Sequence, residues 1–417
     1  MAETLKFIHA ADFHLDEPVS GLPRIPAHLK TVLANAPYDA ATRVFDLAIS
    51  ERVDFVLLAG DLFHIDAAAP RAPAFLLGQF ERLAEKEIHV YWAGGTVDQP
   101  DRWPASIPLP ENVTTFSSTY VDAVEHIRDG TVVATIRGAG HDPKRKSGVD
   151  FSAGTSETFA IALTHGDFDP SALTAHNVRY WALGGRHKPT KLDKTGHIAA
   201  YSGTPLGRSQ KESGPHGCKI GRVDSSGKLF VQDVETDTVR WMPQKVAIEE
   251  THSVGELKKI LLERGLKIAT DNAEQTVLTN WYLSPAGDFN PALRRTEVRD
   301  ELLEWLRDEF GRGEQGIWSV DLKIDPPESL PMAWYEEDTI LGEYLRAVGR
   351  HQSDDSLKLI LHDYMPANVQ SEMLNNLGHV PTARRDEVLR RAALTGIEYL
   401  AVGRDTTATI DVDQPVV

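Results

Sequence analysis

The first hundred residues alternate short apolar runs with amphipathic stretches. Residues 5–9, 54–59 and 88–93 are apolar runs of strand length, and each has the composition of a buried strand. Residues 39–52 and 72–87 lie between these runs and repeat apolar positions at helical spacing. The pattern predicts a strand-helix-strand-helix-strand order, which is typical of a sheet covered by helices.

From about residue 112 onward the segments become shorter and richer in β-forming residues. Glycine-rich turns and clusters of Asp and Lys separate them. We predict strands at residues 131–137, 158–164, 180–183 and 197–202, and loops at residues 138–148 and 186–195.

The pattern changes again near residue 240, and this change predicts two further domains. Strands are expected at residues 246–250, 276–283 and 317–324, with helices at 254–264 and 292–310 between them. This order predicts a small α+β domain at residues 244–325, and the prolines at 326 and 327 favour a linker after it. Residues 328–417 are predicted to be mainly helical, notably at 339–350 and 383–394. The expected domains are therefore residues 1–240, 244–325 and 328–417.

The composition is that of a water-exposed globular protein. Apolar residues make up 41% and charged residues 25% of the 417, and no run reaches the roughly 18 apolar residues of a membrane span. The N-terminus lacks the basic and apolar regions of a secretory signal, so a cytoplasmic location is expected. The single cysteine, Cys218, excludes an internal disulfide and a cysteine-based zinc site.

The net charge of −17 restricts how the protein can contact nucleic acid. An acidic surface repels phosphate backbones over about a Debye length, roughly 8 Å at physiological salt. Contact with DNA therefore needs a local basic patch, a bound cation or a partner subunit.

Four short motifs, each directly after a predicted strand, could carry chemistry. Carboxylates and imidazoles at such positions can converge at the carboxyl edge of a sheet. A ligand set of Asp and His without Cys suits divalent Mn, Fe or Zn, and two such ions can clamp a phosphoryl group. The motifs are Asp12-Phe13-His14, Gly60-Asp61-Leu62-Phe63-His64, Thr164-His165-Gly166 and Gly184-Gly185-Arg186-His187.

Each motif alone has an ordinary structural interpretation. Asp61 after Gly60 could be a turn residue, because Asp tolerates turn geometry. His165 could be a buried histidine with a satisfied hydrogen bond, and His187 could lie in a solvated loop. The ordered set of four motifs is what predicts a metal site.

The motifs resemble those of the SbcD/YhaO-like DNA-repair exonucleases, within the calcineurin-like metallophosphoesterase superfamily. The resemblance covers about residues 5–240 and is carried by residues 6–16, 58–64 and 181–189. It implies an α/β (α+β) fold, a four-layer sandwich of two β-sheets flanked by helices. A small α+β capping domain and a helical C-terminal region would follow. It further implies a metal-dependent DNA exonuclease or endonuclease subunit in DNA repair, working with an SMC-like ATPase partner and able to form a homodimer.

The resemblance also implies roles for individual residues. The first metal would be held by Asp12, His14 and His187, with Asp61 bridging to a second metal that His165 also binds. His64 would be a catalytic residue beside the substrate phosphate. The metal is expected to be Mn, with Fe or Zn as alternatives.

Two basic residues share the loop of His187. Arg186 and Lys188 could contact the phosphate backbone of DNA, or could be solvated loop residues.

Three positions depart from the family pattern. The third motif, Gly-Asn-His-Asp, here has Thr96 in place of the Asn ligand and Val97 in place of the His that assists the leaving group. The last motif, Gly-His-x-His, has Gly185 at its first His. Only Asp61 and His165 remain for the second metal, so that site is expected to be weak or empty. Replacement ligands could come from Asp98, Asp101 or His141.

Three functions stay open at this point, and an enzyme is favoured. The first is a DNA-cleaving nuclease subunit with weakened activity. The second is a catalytically impaired homologue that binds DNA or a partner as a scaffold. The third is a phosphodiesterase or phosphatase for a small substrate, which the acidic charge suits better.

Overall fold

The computed structural model describes most of the chain. The described residues are 3–66, 69–104, 106–145, 151–152, 159–169, 173, 177–194, 196–249, 253–286, 296–313, 316–324, 330, 332–354, 356–357, 359 and 380–400. They divide between two compact units, of which unit 1 lies within Met1–Pro243, Ile268–Thr279 and Phe310–Val320. Unit 2 lies within Gln244–Lys267, Asn280–Glu309 and Asp321–Val417. The predicted division into three domains stays a prediction.

Unit 1 contains two mixed six-stranded sheets. Their strands are β1 (Glu3–Ala10), β2 (Phe55–Leu58), β3 (His89–Ala93), β4 (Val113–Phe116), β5 (Asp122–Arg128), β6 (Thr131–Ala139), β7 (Ala160–His165), β8 (Tyr180–Gly184), β9 (Thr190–Lys194), β10 (His197–Tyr201), β11 (Gly217–Asp224) and β12 (Leu229–Glu235). The first sheet has the order β12-β11-β1-β2-β3-β4, and the second has the order β5-β6-β7-β8-β10-β9. In the first sheet, strands β1 to β4 are parallel to one another. In the second sheet, strands β6, β7, β8 and β10 are parallel to one another.

Alternating side chains explain how the two sheets pack. Successive residues of a strand point to opposite faces. Phe7, Leu57 and Tyr91 of the first sheet form one buried cluster with Leu163 and Tyr180 of the second. The predicted α/β fold with two stacked sheets is therefore confirmed, and full burial of such side chains stabilises it by about 1.5–3 kcal/mol each.

Helices cover the other face of the first sheet. These are α1 (Lys30–Glu51) and α2 (Arg71–Ala84). Phe45 of α1 and Phe80 of α2 join Ile8, Val56 and Val90 of the sheet in a second buried cluster. On the outer face of the second sheet, a cluster built around Trp181 and Leu183 of β8 includes Phe151, Phe168 and Leu173.

Helix α1 begins nine residues before the predicted start at residue 39. Its first part buries Leu33 and Ala36 against a cluster that contains Trp241, whereas Val44 and Phe45 face the first sheet. The apolar stripe thus changes partner along the helix, and a single-stripe pattern identifies only its second half.

Several strands were missed from the sequence. The predicted loop at residues 186–195 is wrong in part, because β9 occupies Thr190–Lys194 at a sheet edge. Strands β4, β5, β11 and β12 were not predicted either. Both β9 and β5 are largely exposed, so neither shows the alternation that identifies a half-buried strand.

The elements from β14 to β16 follow the predicted order, and the strand before them, β13 (Val239–Trp241), was not predicted. They are β14 (Gln244–Glu249), α3 (Val254–Asp271), β15 (Thr276–Ala286), α4 (Thr296–Phe310) and β16 (Ile317–Ile324). In unit 1, β13 pairs in parallel with the start of β15, and in unit 2, β14 pairs in parallel with its end. The predicted linker after Ile324 lies outside the described residues.

Three helices between residues 332 and 400 form a helical cluster within unit 2. They are α5 (Met332–Glu336), α6 (Ile340–Ser353) and α7 (Arg385–Leu400), and the last two agree with the helices predicted at 339–350 and 383–394. Leu341 and Leu345 of α6 pack against Leu389 and Ile397 of α7. Throughout the described part of the chain, no helix has the length and apolarity to cross a membrane.

Candidate metal centre

The residues predicted as metal ligands lie at the carboxyl ends of strands in both sheets. Asp12 and His14 follow β1, and Asp61 follows β2, its parallel neighbour in the first sheet. His165 is the last residue of β7, and His187 follows β8, its parallel neighbour in the second sheet. Because the sheets stack face to face, these strand ends meet at one edge of unit 1.

The structure brings all five residues together in two groups. In the first group, one ligand atom each of Asp12, His14 and His187 lies within 4.8 Å of the other two. In the second group, the same holds for Asp12, Asp61 and His165. Asp12 belongs to both groups, and Asp61 Oδ2 lies 3.4 Å from His165 Nε2 and 4.0 Å from His14 Nε2. Their roles as metal ligands stay predictions, but the five side chains lie together as the sequence predicts.

Three of these residues have an unusual backbone conformation. Asp12, His14 and Asp61 have φ values of 56°, 45° and 56°, in the left-handed region that non-glycine residues rarely adopt. The two loops hold each other there, because Asp12 N–H donates to Gly60 O at 2.9 Å and His14 N–H donates to Asp61 O at 3.1 Å. Strained residues of this kind cluster at functional sites, since only the surrounding structure maintains them.

Asp12 and His14 are buried in states that suit a cation. Burial raises the pKa of Asp12 to about 6, although the backbone N–H of Gly185 donates to its two oxygens at 3.0 and 3.1 Å. Burial, and then the charge of Arg208, lowers the pKa of His14 to about 3, so its imidazole is neutral. Among the described residues, neither ring nitrogen of His14 has a hydrogen-bond partner. A buried, neutral imidazole of this kind is what a divalent metal would satisfy, so the residues present fit the metal that the motifs imply.

His165 and Asp61 form a second buried pair. His165 Nδ1–H donates to Ala59 O at 2.8 Å, which leaves Nε2 facing Asp61. Burial alone would lower the pKa of His165, but the hydrogen bond and charge of Asp61 outweigh it and raise this pKa to about 9. Burial alone would raise the pKa of Asp61. The hydrogen bonds from His165 and Thr96, together with the charge of His165, instead hold the pKa of Asp61 below its usual value. A cation here would replace the proton on His165, as metal-bound histidines require.

The altered third motif folds over Asp61. The backbone N–H of Thr96 donates to Asp61 Oδ1 at 2.5 Å, and the N–H of Val97 donates to the same oxygen at 3.2 Å. The Thr96 hydroxyl lies 2.9 and 3.0 Å from the two carboxylate oxygens of Asp61. Oδ1 is therefore satisfied by the protein, which leaves Oδ2 as the oxygen facing the histidines.

The proposed replacement ligands do not join either group. Asp98 is fully buried and accepts hydrogen bonds from the N–H groups of Asp61, Leu62 and Gly95 and from Trp92 Nε1. Asp98 is therefore a structural residue, and the idea that it replaces a lost ligand is wrong. Asp101 is exposed, and His141 Nδ1 lies 3.3 Å from the backbone oxygen of His165. Neither belongs to a described group of potential metal ligands.

Gly185 occupies the position at which the family pattern has a histidine. Its φ is 102°, and a Cβ built there would lie 3.1 Å from His165 Nε2. A side chain at this position would thus be strained and would crowd His165.

His64 lies beside the centre and is held by two carboxylates. Its Nδ1 is 2.9 Å from Asp16 Oδ2, and its backbone N–H donates to Asp16 Oδ1 at 3.1 Å. Its Nε2 lies 3.6 Å from Glu17 Oε1, and its ring centre is 6.1 Å from that of His14. The side chain is about one-third exposed, so a substrate can reach it.

The two basic residues of the His187 loop differ in their contacts. Arg186 is bound to the Asp167 carboxylate, donates to Phe168 O at 3.0 Å and stacks 4.4 Å from the Tyr201 ring centre. Lys188 is exposed. Their predicted contact with phosphate stays a prediction.

Sequence reasoning missed Glu212 and gave Arg208 and Glu17 no role. Glu212 Oε1 lies 2.5 Å from His187 Nδ1, within hydrogen-bond distance. No sequence signal distinguishes Glu212 from other polar loop residues. Its role follows only from the contact with His187.

Comparisons with known proteins agree with this geometry. A family profile described as calcineurin-like phosphoesterase matches residues 5–189. The uncharacterized metallophosphoesterase YhaO of Bacillus subtilis (strain 168) is 28% identical over 381 residues, covering 86% of this chain and 90% of that protein.

Solved structures are also similar in part. The match to the protein TT1561 of Thermus thermophilus covers 55% of this chain and 98% of TT1561, with 14% identity and a TM-score of 0.34. The match to a dimetal phosphatase from Danio rerio covers 55% of this chain and 99% of the phosphatase, with 11% identity and a TM-score of 0.35.

The matched segment contains every residue of the two candidate ligand groups. The chain accordingly resembles calcineurin-like phosphoesterases over residues 5–189 and is a phosphoesterase-type hydrolase.

Proposed function

We propose that this protein hydrolyses phosphodiester bonds in DNA as a metal-dependent nuclease subunit. The observation that carries the proposal is the meeting of Asp12, His14, Asp61, His165 and His187 at adjoining strand ends. Mixed carboxylate and imidazole ligands are those that manganese, iron and zinc accept, and manganese is the proposed metal.

The chemistry divides between the ligands and the groups around them. When bound, a divalent ion lowers the pKa of a water molecule and polarises a phosphoryl oxygen. Asp12, His14, Asp61 and His187 would hold it. His64, oriented by Asp16, presents Nε2 at the edge of the centre and can donate to a phosphate or leaving oxygen there.

The second metal position is proposed to be weak. Asp61 Oδ1 already accepts hydrogen bonds from the third motif, and Gly185 offers no ligand. Val97 cannot protonate a leaving group, and loss of such an acid typically lowers the rate by about 10²–10⁴. We therefore propose slow cleavage.

DNA as substrate is supported by the motif resemblance, and the similarity to the metallophosphoesterase YhaO supports phosphoester hydrolysis. Because the net charge is −17, contact must be local, and Lys188 and Arg186 near His187 are the proposed contacts. An SMC-like ATPase subunit, a homodimeric state and a cytoplasmic location complete the proposal.

A second candidate is a catalytically impaired homologue that acts as a DNA- or partner-binding scaffold. It is favoured by the hydrogen bonds from Thr96 and Val97 to Asp61, which occupy an oxygen that a second metal would need. In that case at most one ion binds and turnover is absent.

Metal content and three substrates separate these functions. The full chain, loaded with Mn²⁺, is analysed for bound metal and incubated with linear duplex DNA, bis-p-nitrophenyl phosphate and p-nitrophenyl phosphate. Asp61→Asn is the test variant, and Asp66→Asn, an exposed carboxylate near the motif, is the matched control.

Each outcome assigns one function. Cleavage of DNA that Asp61→Asn abolishes and Asp66→Asn retains supports the nuclease. Hydrolysis of the small esters without DNA cleavage assigns a small-substrate phosphodiesterase or phosphatase. Bound metal without turnover supports the scaffold, and absence of both metal and turnover contradicts the metal centre itself.

A further inference from the structure

Each of two candidate metal-binding histidines faces a glutamate, and one arginine joins the two glutamates. Glu212 Oε1 lies 2.5 Å from His187 Nδ1, and Glu17 Oε1 lies 3.3 Å from His14 Nδ1. Arg208 Nη1 donates to Glu17 Oε2 at 2.7 Å, and Nη2 lies 3.1 Å from His187 Nδ1 and 3.6 Å from Glu212 Oε1. We call Glu17, Arg208 and Glu212 the Glu-Arg-Glu bridge.

Two of the three residues of the bridge are largely buried. The Arg208 side chain is only 6% exposed and the Glu212 side chain is 17% exposed, whereas that of Glu17 is 43% exposed. The backbone N–H of Arg208 also donates to Glu212 Oε2 at 2.8 Å, so both oxygens of Glu212 are held. Burying an arginine costs free energy unless its partners compensate, and this arrangement supplies two carboxylates.

Metal-binding histidines usually donate their second ring N–H to a carboxylate or carbonyl, which fixes the tautomer and the ring orientation. His187 follows this pattern, because its Nδ1 faces Glu212 and its Nε2 is left as the nitrogen for a cation. His165 follows it as well, with Ala59 O as the acceptor.

We propose that the Glu-Arg-Glu bridge positions His187 for the first metal, with Glu17 placed beside His14. The inference rests on the proposed metal-dependent function and assigns positioning roles to residues outside the ligand set. Glu212 orients His187, and Arg208 contacts both His187 and the two carboxylates. The bridge therefore fixes the His187 ring, while Glu17 lies 3.3 Å from His14 Nδ1 without a hydrogen bond to it.

Two other roles for the same residues are less consistent with the contacts. Arg208 could bind substrate phosphate, but its Nη1 donates to Glu17, its Nη2 lies against His187 and Glu212, and its Nε is buried. Glu17 could bind a second cation with His14 and His64, whose ligand atoms all lie within 4.8 Å of one another. That site would need both nitrogens of His14 if His14 also binds the first metal, so we treat it as an outcome of the test.

The first experiment measures Mn²⁺ binding to the metal-stripped full chain by calorimetry. Glu212→Gln keeps the size of the side chain but weakens the acceptor, and we expect a dissociation constant about 10- to 100-fold higher. Glu212→Asp should recover part of the loss. Glu51→Gln, which removes an ion-paired carboxylate elsewhere in unit 1, should bind Mn²⁺ like the parent protein.

A spectroscopic measurement distinguishes positioning from general damage. The absorption spectrum of the Co²⁺-loaded protein should change in Glu212→Gln, because the His187 ring is no longer fixed. The unfolding midpoint of the metal-free variant should stay close to that of the parent. An unchanged spectrum and affinity would overturn the proposal.

Arg208 offers a test in which two explanations predict opposite signs. If Arg208 acts only as a positive charge near the site, Arg208→Met should tighten Mn²⁺ binding. If it positions the two glutamates, binding should weaken about 10-fold or more, and Arg208→Lys should lie between. Tighter or equal binding in Arg208→Met would exclude the positioning role.

Failure of the inference is separable from failure of the proposed function. A parent protein that binds no Mn²⁺ contradicts the metal centre. A parent that binds Mn²⁺ while Glu212→Gln binds it equally well contradicts only the bridge. Loss of one of two bound ions in Glu17→Gln would instead assign Glu17 as a ligand and overturn its positioning role.

Discussion

The two carboxylate oxygens of Asp61 have separate roles. Oδ1 accepts backbone hydrogen bonds from Thr96 and Val97, whereas Oδ2 faces His165 and His14. Its left-handed backbone is fixed by the surrounding loops. The side chain thus joins the third motif to both histidines.

We predict that Asp61→Ala abolishes metal binding. The change removes the only carboxylate oxygen that faces both His165 and His14 among the described contacts. Metal content measured by elemental analysis should fall to background, and Asp66→Ala should retain it. Retention of a full equivalent in Asp61→Ala would show that the first group, Asp12, His14 and His187, holds its ion alone.

Asp98 stabilises the fold, although it stands at the Asp position of the family's third motif. It is fully buried and accepts hydrogen bonds from three backbone N–H groups and the Trp92 indole. Removing the acceptor leaves buried donors unpaired, each at a cost of about 1–3 kcal/mol. We predict that Asp98→Ala lowers the free energy of unfolding by about 3–5 kcal/mol in urea titrations. The exposed Asp101→Ala should change it by less than about 0.5 kcal/mol, and a similar small effect for Asp98→Ala would contradict the structural role.

Restoring the family's side chains at Thr96 and Val97 should have a different effect from restoring the one at Gly185. We predict that Thr96→Asn with Val97→His raises phosphodiester hydrolysis, because a ligand and a proton donor return. Adding Gly185→His should give no further gain and should lower the thermal unfolding midpoint, since φ is 102° and Cβ would approach His165 Nε2 to 3.1 Å. Rates with bis-p-nitrophenyl phosphate in Mn²⁺ measure the gain, and no gain in the double variant would mean that the site is otherwise remodelled.

At the scale of elements, the sequence pattern identified the parts that bury one consistent face. The strands β1 to β3 and β6 to β8 lie within a few residues of their predicted positions. The edge strands β5 and β9 were missed because their exposed residues follow no alternation, and the first half of α1 was missed because it packs on a different cluster. Tertiary neighbours, which the local pattern does not contain, decided these cases.

One buried hydrogen bond links the two strands that lead into the site from opposite sheets. His9 Nδ1 of β1 lies 2.8 Å from the hydroxyl of Tyr180 in β8. We predict that Tyr180→Phe lowers the free energy of unfolding by about 1–3 kcal/mol, because a fully buried nitrogen loses its partner. Tyr91→Phe is the matched control, since Tyr91 makes a similar 3.0 Å contact with the half-buried His126, where water can replace the hydroxyl. Equal losses in the two variants would show that burial of the histidine does not set the cost.

At the scale of the whole molecule, the candidate metal ligands could be predicted, and the residues that contact them could not. Parallel strands end at the same edge of a sheet, so the sequence alone predicts that Asp12, Asp61 and His165 lie close together. Glu212 and Arg208 come from a loop beyond the last motif, and only the folded chain places them on His187. The same limit applies to charge, because the net value of −17 does not show where positive groups lie.

The metal-free protein should lose stability as the pH rises from about 6.5 to about 9. His165 has a folded-state pKa of about 9 against 6.5 when unfolded, so its contribution is fully present below pH 6.5 and is lost as the pH passes 9. The opposing histidines, His9 and His14, have pKa values lowered to about 3, so their effect lies below pH 6.5. Burial raises the pKa of Asp12 to about 6, which also keeps its effect below this window.

Urea unfolding of the chelator-treated chain at several pH values measures this loss, which should be about 3 kcal/mol at most. His165→Gln should flatten the dependence. Mn²⁺ at about 100 times its dissociation constant should add about 2.7 kcal/mol and should oppose the loss at high pH, because metal ligands bind in their deprotonated forms. A metal-free protein whose stability is constant from pH 6.5 to 9 would contradict the buried Asp61–His165 ion pair on which the second ligand group depends.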